Sequence, residues 1–395
     1  MAGCRGNQTG MQGRFSRHLS RRAFVRGSAG ALALLTLPWL PKPAASQEIR
    51  QGFSRPVPAS HYKVMPQGMV QCQLCPRKCE VAEGDRGECG VRENRKGVYY
   101  SLVYGNPCAV HVDPVEKKPF FHLLPGSRSF SIATAGCNLH CKFCQNWEIS
   151  QARPEKTYNF DLPPEKVVAG AQENGCLSVA YTYVEPVIFY EYMTAVGHLA
   201  KGAGVLSTCH SNGFINPEPL EKLAAVLDAA VIDLKAFDPK FYRDLADGKL
   251  EPVLHTLKTL RKKGVHLEIV NLVIAQFNDK PETISDMCAW IKDELGPLTP
   301  LHFSRFYPLY KMQNHFPTPV STLEAARETA LKAGLKYVYL GNIPGNPAES
   351  THCHGCGKLL IERTGYRIGE MHMKGDACGY CGVKIPGIWK KPKAV

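Results

Sequence analysis

From about residue 126 onward, short apolar runs alternate with longer amphipathic stretches. Runs of four to eight residues, rich in β-branched and aromatic side chains, fall at Phe130–Thr134, Ser178–Tyr183, Val205–His210, Ala230–Leu234, Leu267–Ile274, Leu301–Phe306 and Tyr337–Leu340. Their length and composition predict buried strands. The stretches between them predict helices. Pro163-Pro164-Glu165 opens one and Gly175 closes it, as proline in a first turn and glycine past a last turn should. Val187–Gly202, Pro219–Leu227, Pro252–Lys263, Pro281–Leu295 and Leu323–Ala333 follow the same logic. Strand–helix alternation predicts an α/β fold with a parallel sheet and right-handed crossovers, as a complete or partial (β/α) barrel. Chemistry in such folds sits at the C-terminal ends of the strands.

The rest of the chain does not share this rhythm. Four parts are predicted: a leader over 1–46, a cysteine-rich N-terminal region over 47–125, the alternating core over 126–345 and a cysteine-rich tail over 346–395. No fixed-period repeat or low-complexity tract appears.

Charge distinguishes the leader. The chain has a formal net charge of +13, and residues 1–46 hold seven basic residues and no acidic one. The remaining excess of six over the rest of the chain is mild and predicts no nucleic-acid partner. Within the leader, Ser20-Arg21-Arg22-Ala23-Phe24-Val25-Arg26 precedes an apolar run from Gly27 to Leu40, and Ala44-Ala45-Ser46 offers a cleavage site. The run is short for a bilayer span. It predicts a twin-arginine export signal and a periplasmic or exported protein, the alternative being a cytoplasmic one.

Eleven of the 16 cysteines form three clusters. Gaps of two and three residues predict metal sites ahead of a disulfide framework. Cys137-x3-Cys141-x2-Cys144 is the most informative: three thiols in one loop, with no fourth beside them. A closed site wants four protein ligands, so three leave one metal position for a small molecule. Cys72-x2-Cys75-x3-Cys79-x9-Cys89 supplies four thiols, which suits zinc or an all-cysteine iron–sulfur cluster equally. In the tail, Cys353-x2-Cys356 and Cys378-x2-Cys381 are each followed by glycine, the pattern of a structural zinc knuckle.

The three-thiol loop, with Phe143 ahead of its last cysteine, resembles the radical S-adenosylmethionine (SAM) enzymes. A closer resemblance is to the AmmeMemoRadiSam-system radical SAM proteins, which look related to pyruvate formate-lyase activating enzymes. It is carried by the N-terminal four-cysteine block, by Asp113-Pro114-Val115-Glu116-Lys117-Lys118-Pro119, Pro125-Gly126-Ser127, Cys144-Gln145-Asn146, Tyr183-Val184-Glu185-Pro186, His302-Phe303-Ser304-Arg305-Phe306 and Val338-Tyr339-Leu340-Gly341-Asn342, and by the tail knuckles. It implies a [4Fe–4S] cluster on Cys137, Cys141 and Cys144 that binds SAM at its open iron. It further implies reductive cleavage of SAM to a 5′-deoxyadenosyl radical, which takes hydrogen from a substrate, and a low-potential electron donor.

The resemblance also implies SAM contacts. Glu185 stands where the family carries a Gly-Gly-Glu type motif facing the amino group. Ser207 and Asn212, around the end of the third core strand, suit the ribose or carboxylate. Asp233 and Lys235 place a charged pair at the end of the fourth. Ala275-Gln276 departs from an expected Pro-Gly, which puts the adenine contacts there in question. Asp113 to Pro125 is expected to form either a lid over the barrel mouth or a surface loop of mixed charge, and His122, His210, His302 and Arg305 are candidates for the substrate side. The substrate is a protein glycine or a small molecule. The competing functions are an iron–sulfur electron carrier and a metal-stapled scaffold.

Overall fold

A computed structural model describes residues 49–391. The predicted leader lies outside them. Their centre is an eight-stranded sheet whose strands, in chain order, are β1 (Ala109–Pro114), β2 (Arg128–Ala133), β3 (Ser178–Tyr181), β4 (Leu206–Ser211), β5 (Ala229–Asp233), β6 (His266–Val273), β7 (Leu301–Arg305) and β8 (Val338–Gly341). The spatial order is the chain order, β1 to β8. β2 to β8 run parallel, and β1 pairs antiparallel with β2 in the register Asp113↔Ser129. The two edges do not pair, so the sheet is a partial barrel. The strands read as near-continuous apolar runs because both faces are covered.

Helices α1 (Pro164–Glu173), α2 (Tyr190–Gly202), α3 (Pro217–Ala224), α4 (Leu250–Lys262), α5 (Pro281–Leu295) and α6 (Val320–Lys332) fill the crossovers. Proline stands at N1 of α1, α3 and α5, where its missing N–H costs nothing. The predicted strands and helices are all present, with ends displaced by a few residues. β1 is not among them: it is an edge strand whose side chains, Asp113 apart, are half-buried or exposed, so no apolar run marks it.

The segment after β1 is not the expected lid. Val115, Phe120, Leu123 and Leu124 pack with Leu206 and Ala229, which open β4 and β5, and with Val231 and Val270 further along the strands, so this segment plugs the opposite end of the barrel. Lys118 is buried there because its ammonium pairs with Asp113 and reaches Tyr183 Oη at 3.2 Å. An internally neutralised pair can enter a core where a lone charge cannot.

The tail closes the same end. Leu124 N donates to Ile388 O and Ile388 N to His122 O, both at 2.8 Å. Arg363 Nη2 donates to Phe121 O at 2.7 Å. Beneath them Glu268 is fully buried and accepts from His302 Nε2 at 2.7 Å, His266 Nε2 at 3.1 Å and the amides of Phe121 and His122. Burial alone would raise its pKa, but the bonds from His266 and His302 hold it well below the usual carboxylate range.

His122 is also buried, with Nδ1 2.6 Å from Pro386 O and Nε2 2.7 Å from Tyr339 Oη. Burial pushes its pKa down to about 3. The unfolded chain takes up this proton near pH 6.5 and the folded one does not. The contribution is therefore complete above pH 6.5 and is lost as pH falls toward 3. Between pH 6.5 and 5 this group is expected to remove ~2 kcal/mol of stability. Denaturant unfolding at both values checks it: the fall should be smaller by that amount in His122→Gln.

Candidate active site at the open end of the barrel

β2 is followed by Thr134-Ala135-Gly136, and the three-thiol loop comes next on the C-terminal side of the sheet. Gly136 has φ +95°, and a Cβ there would lie 2.5 Å from the Cys89 carbonyl oxygen, so only glycine fits. The loop is pinned from several sides. His140 N donates to Ala246 O at 3.1 Å, Lys142 N to Leu245 O at 2.8 Å, and Lys311 N to Lys142 O at 3.0 Å. Asn146 Nδ2 donates to Tyr183 O at 2.6 Å and ties the loop's exit to the end of β3.

Three sulfurs are thus held on a rigid loop. Leu139 N donates to Cys137 Sγ at 3.4 Å, and Ser150 Oγ lies 3.2 Å from Cys144 Sγ. Burial pushes the Cys141 thiol up to about 11, which keeps it protonated without a metal. A coordinating metal deprotonates it, and donors aimed at sulfur suit the resulting thiolate. The loop's remaining ligand-type side chain, His140, turns Nδ1 to Asp247 Oδ2 at 2.9 Å and Arg77 Nη2 at 3.2 Å. The donor set therefore fits an iron–sulfur cluster held at three corners.

Beside the loop, the ends of β3, β4 and β5 bring four of the five expected SAM contacts together. Asp233 accepts from Lys235 Nζ at 2.8 Å and lies 2.7 Å from His210 Nε2. Burial opposes its charge, but Lys235 and His210 hold its pKa well below the usual range. Lys235 Nζ stands 5.8 Å from the Phe143 ring centroid, next to the cysteine loop. Glu185 is buried; its carboxylate accepts from Ser211 Oγ and Asn212 N at 2.7 Å and from Val187 N at 3.0 Å, while burial raises its pKa to about 7. Asn212 Nδ2 donates to Asn138 Oδ1 at 2.9 Å and approaches Cys137 Sγ at 4.0 Å. These contacts tie Glu185 and Asn212 to the loop's frame.

Ser207 is not part of this group. It lies on the sheet's outer face, where Tyr181 Oη approaches its Oγ at 3.3 Å and a Cβ on Gly197 of α2 would come within 3.1 Å. His122 and His302 belong to the plugged end, so of the expected substrate-side histidines only His210 reaches the mouth. Arg305 ends β7 and donates to Thr318 O at 2.7 Å.

Two left-handed residues mark the same mouth. Tyr183 has φ +65° in the segment aligned above with Gly-Gly-Glu, and Gln276 has φ +73° at the departure from Pro-Gly. Both keep a backbone shape that glycine adopts without cost. Asp279 Oδ1 accepts from Gln276 N at 2.8 Å and supports that turn. Neither Tyr183 nor Asn146 was singled out from sequence for its contacts. A non-glycine residue in a glycine position is a signal only once a backbone is known.

The sequence model of the radical SAM superfamily matches residues 131–291, which run from β2 through the three-thiol loop into α5. An uncharacterized protein of Methanocaldococcus jannaschii, MJ0808, is 42% identical over 329 residues, covering 83% of this chain and 98% of the relative. The chain belongs to the radical SAM superfamily. The pyruvate formate-lyase-activating enzyme of Listeria monocytogenes is 26% identical over 220 residues, covering 52% of this chain and 86% of that enzyme. Among solved structures, SuiB of Streptococcus suis bound to S-adenosylmethionine matches with a TM-score of 0.42 and 15% identity, over 52% of this chain and 48% of that one. The family match thus runs from β2 into α5, and members of the superfamily, the activating enzymes among them, are enzymes.

At the far end, the tail cysteines converge. Cys353 Sγ and Cys381 Sγ are 3.6 Å apart, Cys356 Sγ and Cys378 Sγ 3.8 Å, and all four sulfurs lie within 4.8 Å of one another. The fold and this donor set fit a single tetrahedral ion. No helix among the described residues is long and apolar enough to cross a membrane.

Proposed function

We propose that this protein is a radical SAM enzyme that cleaves SAM reductively and removes a hydrogen atom from a substrate bound at the barrel mouth. The carrying observation is the pinned loop of three thiols with its one histidine turned away. When bound, the [4Fe–4S] cluster and SAM supply a carbon-centred radical. The chain holds the cluster through Cys137, Cys141 and Cys144. Lys235, fixed by Asp233, offers its ammonium to a carboxylate beside the loop. Asn212 and Glu185 set the width of the mouth on that side, and His210 borders it through Asp233. Exposed Trp147, stacked on Tyr310 at 5.3 Å, and exposed Phe316 rim the opening and suit a polypeptide or another bulky substrate.

The tail cysteines are read as a structural zinc site, and the leader as a twin-arginine signal. The test of the main reading is anaerobic: protein with its cluster assembled, reduced with dithionite, is given SAM alone. Methionine and 5′-deoxyadenosine should appear together. A cluster that reduces but leaves SAM intact would move the assignment to an electron carrier.

A further inference from the structure

We propose that Cys72, Cys75, Cys79 and Cys89 hold a second [4Fe–4S] cluster, and that it is the port through which an external low-potential donor delivers the electron to the cluster at Cys137, Cys141 and Cys144. The second half of this proposal rests on the function just proposed. The first half does not.

The four N-terminal thiols line one small cavity. This is a different geometry from the tail. Four sulfurs around one zinc, at ~2.3 Å from the ion, sit less than about 4 Å from one another. The tail cysteines come near this, with two pairs at 3.6 and 3.8 Å and all four sulfurs within 4.8 Å, and among the described residues no other set of three or more ligand-type side chains is drawn as close. The N-terminal thiols stand around a space instead of meeting at a point, as a cube carrying its own sulfides requires.

The cavity wall also carries donors in search of an acceptor. Arg92 and Tyr99 line it, both nearly or fully buried, and Arg92 Nε and Tyr99 Oη have no hydrogen-bond partner. The other Arg92 nitrogens are satisfied by Glu191, at 2.8 and 2.9 Å, and by Ser60 O at 2.9 Å. Buried polar groups are rarely left unpaired. Sulfide and thiolate sulfurs of a cluster accept such bonds, which also tune its potential. Gly87 keeps the space open: a Cβ there would come within 2.9 Å of Tyr99 Oη and 3.6 Å of Cys79 Sγ.

This cavity shares a wall with the catalytic loop. Asn138, the residue after Cys137, lines it. Arg77, between Cys75 and Cys79, donates from Nε to Asn138 O at 2.5 Å. Asn216 Nδ2 donates to Gln73 O at 2.6 Å and to Cys75 O at 3.0 Å, and the Cys89 carbonyl presses on Gly136. Cys72 and Cys75 are buried, while Cys79 and Cys89 are half-buried and place one side of the site toward solvent. The electron step balances: a donor of the flavodoxin or ferredoxin class loses one electron, the N-terminal cluster takes it up and gives it on, and the catalytic cluster gains it.

The experiment uses the full chain, assembled anaerobically, with iron, sulfide and zinc measured per polypeptide. About eight irons are expected in the wild type, and about four in Cys141→Ala and in Cys75→Ala/Cys89→Ala alike. The reduced Cys141→Ala protein should give an electron paramagnetic resonance signal that SAM does not alter. In Cys75→Ala/Cys89→Ala, formation of 5′-deoxyadenosine driven by reduced flavodoxin should fall at least about tenfold, and that driven by dithionite less than about twofold. About four irons with a second zinc in the wild type, or no cluster in Cys141→Ala, overturns the proposal. Should the double variant not fold, the Cys141→Ala measurement decides alone. Zinc at this site with SAM cleavage intact removes this inference and leaves the function standing. Eight irons without SAM cleavage supports the second cluster and overturns both the port and the proposed function.

Discussion

Cys141→Ala is expected to abolish SAM cleavage, with 5′-deoxyadenosine formation reduced by at least about a thousandfold, beyond the ~10–100-fold that loss of an outer-shell partner costs. Cys141 is buried between the flanking backbone anchors at His140 and Lys142. Removing its sulfur leaves a cluster with two protein corners and no reason to keep its open iron at the mouth. The loop itself should stay in place, because its hydrogen bonds run through backbone atoms to Ala246, Leu245 and Ile149. Circular dichroism should therefore match wild type while SAM cleavage is lost. A Cys141→Ala protein that still cleaves SAM would remove the three-thiol loop from the mechanism.

Much of this arrangement was legible beforehand, and the exceptions share a physical cause. Strand and helix periodicities, with proline at helix starts, marked the core, because a sheet buried on both faces leaves little freedom in composition. The three-thiol spacing marked the candidate site, because ligand geometry constrains spacing directly. What stayed hidden depends on which face a residue takes. Ser207 and His210 both lie in β4, three residues apart, and the two-residue period of a strand puts them on opposite faces. Only His210 could look into the mouth. Asp113 and Lys118 read as surface charge, yet they neutralise each other inside the plug. His302 and His122 read as chemistry, yet they join Glu268 and Tyr339 in the base that seats the tail. Polar residues in a core carry no sequence mark that separates a support from a reactant; their partners decide.

Removing the proposed tail zinc, by chelation or by Cys378→Ala, is expected to destabilise the far end of the barrel as well as the tail itself. Gly355 N and Cys356 N donate to Cys353 Sγ at 3.3 and 3.5 Å, and Tyr380 N to Cys378 Sγ at 3.4 Å, so both turns are folded around sulfur. The strands they connect are short, and a metal of this kind supplies ~10–16 kcal/mol of apparent binding energy to so small a unit. Its loss releases the tail, and with it the cover over Phe121, Tyr337 and Tyr339 and the Arg363 bond to Phe121 O. Glu268, His302 and His122 then meet water at one side. A loss of ~4 kcal/mol in the core, like that of a breached buried ionic network, corresponds to a fall of about 6 °C in Tm for a chain of this size. Calorimetry with zinc analysis checks it. A Tm unchanged by Cys378→Ala, or native protein without zinc at these four thiols, would contradict both the metal assignment and the role of the tail as the barrel's base.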